Sequence, residues 1–196
     1  MLANLLLDAL LLLIPLYYFK SNGINAVESL GIGWKQACTA WKQSIPIIAS
    51  MLVVALLVGL ALNIAGGNDI GKVSDVLQQA KESQIYFIFA LTAGVILEEL
   101  FFRGFLIKFI DSALWQKAKK AKGGLALFFR NYSGVILSSV FFGALHFGYS
   151  STAEIAGAMC LGLVLAFFFK KYNNLYANIS AHLIWNALIL FAAVAV

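Results

Sequence analysis

The chain has 196 residues, of which 62% are hydrophobic and only 12% charged, and it carries a net charge of +5. Soluble domains hold about 25% charged residues, so lipid is the expected solvent and an ordinary water-soluble domain is excluded. Six spanning helices of roughly 20 residues would occupy about 120 residues, which leaves room for short loops and one amphipathic segment but no separate soluble domain.

In chain order, the first apolar stretch is Leu2–Phe19, closed by Lys20. No basic residue precedes it and no small-residue cleavage pattern follows, so it reads as a retained helix rather than a removed signal. Trp34 and Trp41 are seven apart, as are Lys35 and Lys42. Two helical turns separate each pair, which predicts an amphipathic helix lying at the membrane surface. Ser44 and Pro46 then suit the start of a second span, Ile45–Ala65. Gly66-Gly67-Asn68-Asp69 is loop chemistry, and Val73–Ser83 fits a short polar helix. The third span is Ile85–Ile107. Ser112–Lys122 reads as a basic surface helix ending at Gly123-Gly124. Ser133–His146 is a short fourth span unless part of Leu125–Phe129 extends it. Thr152–Phe169 and Leu175–Val196 complete the set, with Glu154 suited to a helix N-terminus. Gly157 and Gly162 are expected to allow close helix contact. Cys38 and Cys160 have no metal or redox spacing, and no disulfide is expected.

The basic residues alternate between loops. Lys20, Lys35 and Lys42, then Lys108, Lys117, Lys119, Lys120, Lys122 and Arg130, then Lys170 and Lys171 fall in loops one, three and five. These are eleven of the 14 basic residues, while loops two and four hold only Lys72 and Lys81. The positive-inside rule reads this as six helices with both termini outside. The same charges suit anionic headgroups. No basic-aromatic module points to nucleic acid, and no nucleic-acid partner is expected.

The fourteenth basic residue, Arg103, lies inside span three with Glu98 and Glu99. A charge at mid-membrane costs about 2.5–3.5 kcal/mol on insertion scales. These three must therefore face the interior or a wet cavity. At 100° per residue, Glu99 and Arg103 are about 40° apart and can pair. Glu98 is about 140° from Arg103 and is left over. A carboxylate left over in a partly desolvated cavity suits a general base for water. Span four ends in His146, one turn after Phe142, whose ring is expected to pack against the turn below the imidazole. Span six carries His182 and Asn186, four apart on one face and able to donate to one point. Taken singly, each histidine reads as a satisfied interior side chain; the chain has only these two, both on polar-bearing helices. The chemistry these residues suggest is a water polarised by Glu98 with His146. His182 and Asn186 would hold an oxyanion, and Glu99–Arg103 would be the structural brace. Counted from the cytoplasmic ends, Glu98 and His182 lie roughly 15 Å deep and His146 nearer 20 Å. Their convergence requires helix four to tilt, or the turn after His146 to dip inward.

Glu98-Glu99-Leu100-Phe101-Phe102-Arg103 reads EExxxR, Phe142 to His146 reads FxxxH, and His182 to Asn186 reads HxxxN. In this order on successive apolar helices, they resemble the CAAX-protease and bacteriocin-processing family, which includes the type II prenyl-protein endopeptidases. The resemblance covers about residues 85–190. It implies an intramembrane glutamic protease with Glu98 as catalytic base, His146 as its partner and His182 with Asn186 as oxyanion donors.

The expected architecture is all-α, with about six transmembrane helices in one integrated membrane domain. Residues 1–84 would supply the N-terminal helices and the amphipathic segment, and 85–196 a four-helix catalytic core. The expected activity is hydrolysis of a peptide bond in a membrane-embedded or lipidated substrate, in a multi-pass protein of the bilayer, with no cofactor and no metal. Three other readings stand beside it. A zinc protease could use the histidines and glutamates, but there is no His-Glu-x-x-His helix. A scaffold or immunity protein would keep the fold without turnover, and a carrier would use buried Glu and His as a proton relay.

Overall fold

A computed structural model describes residues 2–66, 88, 90–115, 123–149 and 151–194. Helix α1 spans Leu2–Ser21, α2 is the short Ala26–Leu30, and α3 runs over Trp34–Ile64. Helix α4 covers residues 90–115 and α5 covers Gly124–Leu145, closing in a 3-10 turn at His146–Tyr149. Helices α6, Thr152–Tyr172, and α7, Leu175–Val194, complete the order, with no strand among the described residues. Three helical runs within these residues, Ala26–Ile64, Gly124–Leu145 and Thr152–Tyr172, are long and apolar enough to cross a membrane. The chain is an all-α membrane protein.

Helix α3 corrects one expectation. The segment from Trp34 was expected to lie separately at the surface, with a new helix starting at Ser44–Pro46; instead one helix of 31 residues runs through both. Pro46 removes one backbone donor and crowds the turn before it. The hydroxyls there occupy nearby carbonyls: Ser44 Oγ donates to Trp41 O at 2.8 Å and Ser50 Oγ to Pro46 O at 2.8 Å. At about 1.5 Å per residue the helix is roughly 46 Å long, beyond a hydrocarbon core of about 30 Å. The surplus is the Trp34–Gln43 end, where Trp34 and Trp41 stay exposed as interfacial tryptophans do.

The fourth span takes up the upstream residues: α5 begins at Gly124, so Leu125–Phe129 do extend it. The basic surface helix expected over Ser112–Lys122 begins as a continuation of α4 to Trp115, and residues 116–122 lie outside the described set. Most of the Gly66–Asp69 loop and all of the Val73–Ser83 helix also lie outside it.

Helices α5 and α6 pack along each other, α7 packs on α3, and α3 packs on α6. The Glu99–Leu106 stretch of α4 touches α1, α2, α5, α6 and α7, so the charged residues of α4 lie among five neighbours. Phe102, Arg103 and Glu99 are all essentially inaccessible. Ser151 caps α6 by accepting from Glu154 N at 3.2 Å, with Glu154 in the first turn. Gly162 brings α5 close, since a Cβ there would lie 3.4 Å from Ser139 Cα and 3.1 Å from the Phe142 ring. Gly157 does not: a Cβ there would meet nothing within 4 Å. It lines an open cleft instead.

The α6–α7 turn ties the far ends of the chain together. Asn173 adopts a left-handed conformation at the end of α6, and its amide donates to Glu28 O at 3.1 Å. Asn174, buried, donates to Gln36 O at 2.8 Å and to Gln43 Oε1 at 2.7 Å. Lys108 of α4 donates to Ser29 Oγ at 2.9 Å and also to Ser29 O. Burial lowers the Lys108 pKa below the ordinary lysine value, so both acceptors offset a desolvation cost. Gly31 caps α2 at φ 62°, directly against the Asn173 carbonyl. A Cβ there would overlap that backbone oxygen, and the left-handed φ adds a penalty of its own. Gly31→Ala is expected to cost at least about 3 kcal/mol, read as a lowered midpoint of thermal unfolding in detergent. An unchanged midpoint would mean that this turn does not hold α2 to the α6–α7 junction.

Candidate functional site

The residues that carry the site sit on an irregular helix. Within α4, Ala90–Gly94 and Glu99–Leu106 are π-helical, and only Val95–Glu98 between them is α-helical. A π turn closes from i to i+5 and holds an extra residue. Residues four and five apart therefore face the same side, and the 140° that the α-helical count placed between Glu98 and Arg103 does not apply. Among the described residues Arg103 nonetheless pairs with Glu99, while Glu98 faces His182, as the spacing predicts for the ion pair. The widened turn is braced from α5, where buried Ser138 donates through Oγ to Phe102 O at 3.1 Å.

Glu99 is the hub. Its Oε1 lies 3.1 Å from Arg103 Nη1, with both side chains fully inaccessible, so the pairing expected from the four-residue spacing is present. It is a close charge contact rather than an aligned hydrogen bond. The guanidinium also lies over the Phe142 ring at 4.4 Å and near the Phe102 ring at 5.9 Å, so the aromatic faces supply further attraction to the buried cation. The same Glu99 Oε1 accepts from His182 Nδ1 at 2.8 Å. The other carboxylate oxygen, Oε2, accepts from Asn178 Nδ2 at 3.3 Å.

Glu98 is in a different environment. Its side chain keeps 31% of its exposure, whereas Glu99 has none, and its Oε2 lies 3.9 Å from His182 Nε2. His182 thus stands between the two carboxylates, hydrogen-bonded to one and facing the other. A carboxylate engaged by Arg103 accepts, so Nδ1 of His182 is the donor. Nε2 can then donate only when the ring carries both protons.

His146 begins the 3-10 turn after α5, and its Nδ1 lies 2.9 Å from Phe142 O. A carbonyl only accepts, so this nitrogen carries the proton and Nε2 of the neutral ring is an acceptor. The Phe142 ring lies between the two imidazoles, 5.1 Å from His146 and 5.9 Å from His182. The side-chain contact expected between Phe142 and His146 is therefore present, and Phe142 also touches Arg103. Asn186 follows His182 by one turn of α7 and is half-buried.

Asn178 was missed in the sequence. It is fully buried, and its amide donates both to Glu99 and to Leu165 O of α6, the latter at 2.8 Å. The signal was present, because Asn178, His182 and Asn186 form a run spaced by four on one face of α7. Asn178→Ala leaves two acceptors without their donor, which should lower stability by about 1–3 kcal/mol. Thermal unfolding of the purified chain tests this, and a midpoint equal to that of the native chain would contradict it.

Among the described residues, no three His, Cys, Asp or Glu side chains are grouped as metal ligands are. A cleft of about 210 Å³ runs between α3, α6 and α7, with Val58, Gly59, Gly157, Leu161 and Trp185 among its walls. Trp185 is the residue before Asn186.

Comparison with known proteins bears on this arrangement. A family model described as type II CAAX prenyl endopeptidase Rce1-like matches residues 81–188, more than half of the chain and the whole run from Glu98 to Asn186. No curated protein and no solved structure matches the chain. On the strength of that match, the chain belongs to the Rce1-like family of type II CAAX prenyl endopeptidases, a family of peptidases.

Proposed function

We propose that this chain is a multi-pass intramembrane endopeptidase that hydrolyses a peptide bond by a carboxylate-activated water, without metal. The observation that carries the proposal is the unequal treatment of two adjacent glutamates. Glu99 is consumed by Arg103, His182 and Asn178, while Glu98 stays accessible beside His182 Nε2. One acid builds the site and the other is available to move a proton.

The reaction runs as follows. Glu98 takes a proton from water while the water oxygen attacks the carbonyl carbon of the scissile bond. His146, with Nδ1–H fixed on Phe142 O, presents an acceptor nitrogen that shares in orienting that water. The carbonyl oxygen becomes an oxyanion and is held by Asn186 and by Nε2–H of His182. His182 serves in this way as the doubly protonated ring, its charge balanced by Glu99 and, once Glu98 holds the proton, by the oxyanion. When the tetrahedral intermediate collapses, the C–N bond breaks and the protonated Glu98 returns its proton to the leaving amine. Glu99 and Arg103 touch no reacting atom; they position His182. The substrate is a membrane-embedded or lipidated protein or peptide.

The test compares membranes from cells making the native chain with those from cells making Glu98→Gln. At least one membrane protein is expected to accumulate uncleaved only with the variant. Identical membrane proteomes, with both chains expressed, would remove the proposal in favour of a non-catalytic role for the fold. Cleavage by the native chain should persist in a strong zinc chelator; loss of cleavage there would move the reading to a metalloprotease.

A further inference from the structure

The positively charged end of the α5–α6 pair holds a second site. A cleft of about 350 Å³ opens there between Asn131 and Tyr132 of α5 and Phe167, Lys170 and Lys171 of α6. We propose that it binds the phosphate of an anionic phospholipid, seated between α5 and α6 at the level of the headgroups. This rests on the membrane-spanning reading given under the proposed function, but not on any catalytic step.

Charge is the first argument. Lys170 Nζ pairs with Asp111 Oδ2 at 2.9 Å and also donates to Asn131 O. Asp111 is held in turn, since its Oδ1 accepts from Gly134 N at 3.1 Å. This one carboxylate offsets one lysine. Lys171 at the wall is exposed and leaves the cleft with a surplus of positive charge, and Arg130, the residue before Asn131, is exposed as well. Lys171 lies over the rings of Phe168 at 5.6 Å and Tyr172 at 5.3 Å, which hold its stem against α6 and its ammonium at the helix end. Basic pockets between spanning helices on the positive side suit lipid phosphates.

The apolar surroundings decide between a lipid and a soluble anion. The walls include Tyr132 and Phe167, aromatics at the level where Lys170 and Lys171 end the apolar run of α6. Toward the bilayer core from Asn131, α5 exposes Leu137, Val140 and Phe141, and α6 exposes Phe167. A soluble phosphate would use the cations and leave these surfaces wet. A phospholipid would cover them with its glycerol and upper acyl carbons while its phosphate met the cations.

The test is native mass spectrometry of the full chain in detergent, titrated with phosphatidylglycerol or with phosphatidylcholine of the same acyl chains. Phosphatidylglycerol should be retained in preference, and Lys171→Ala should weaken its retention by about fivefold. Lys171→Arg should retain it, and Arg130→Ala, a second exposed position, should weaken it in the same direction. Excess inorganic phosphate should not displace the lipid. Equal retention of the two lipids, no effect of either alanine variant, or displacement by inorganic phosphate would each overturn the assignment. Because no cleavage is measured, these results are independent of whether Glu98 is catalytic.

Discussion

Glu98→Gln is expected to reduce peptide hydrolysis by about 10²–10⁴-fold while leaving the thermal midpoint of the purified chain within about 1 kcal/mol of native stability. Glutamine keeps the shape of glutamate and can still accept a hydrogen bond, but it cannot take a proton from water at neutral pH. The structural cost is small because the Glu98 side chain is partly exposed, and its nearest basic partner, His182 Nε2, is 3.9 Å away, beyond hydrogen-bonding distance. The same substitution at the next residue should behave differently. Glu99→Gln removes the charge that faces Arg103 and the acceptor that orients His182, so it should lower both stability and rate. A comparison of the two variants, by unfolding midpoint and by single-turnover cleavage of one peptide, separates the roles. Normal cleavage by Glu98→Gln would end the proposed mechanism. Cleavage lost only together with the fold would make Glu98 a structural acid like its neighbour.

The parts of this arrangement that could be read in the sequence are those set by simple spacing and by the cost of charge in lipid. Glu99 and Arg103 had to face inward, and a spacing of four lets them meet whether the turn is α or π. Phe142, on the regular α5, and His146, four residues on at the start of the 3-10 turn, meet as expected. What could not be read depends on tertiary contacts. The π turns of α4 leave no mark in composition, yet they decide where Glu98 stands relative to Arg103. The preference of His182 Nδ1 for Glu99 depends on how α7 sits against α4, which no periodicity within α7 reveals. Ser44 and Pro46 look like a helix start, but the helix continues upstream because Ala40, Ile47 and Met51 all pack against α6 and α7 in one core cluster. Tertiary burial along that face overrode the local signal. Gly157 and Gly162 look alike as small residues at five-residue separation, yet only Gly162 faces α5.

Arg103→Met is the substitution expected to damage the fold most within the site, by about 3–5 kcal/mol. It strands Glu99 as a fully buried carboxylate whose remaining partners, His182 and Asn178, were placed with the guanidinium present. The uncompensated charge, rather than lost packing, dominates the cost, since methionine fills much of the same volume beside Phe102 and Phe142. This makes a double variant informative. Adding Glu99→Gln to Arg103→Met removes the stranded charge and keeps an amide in place of the carboxylate, so part of the lost stability should return. Cleavage should not return with it, because His182 still lacks the carboxylate that fixes its Nδ1 proton and balances the doubly protonated ring. Unfolding midpoints of the two single variants and the double, measured in one detergent, give the coupling; equal costs that simply add would show that Glu99 and Arg103 act separately. Recovery of stability without recovery of cleavage would separate the brace from the chemistry it serves, with His182 as the link between Glu99 below it and the scissile carbonyl above.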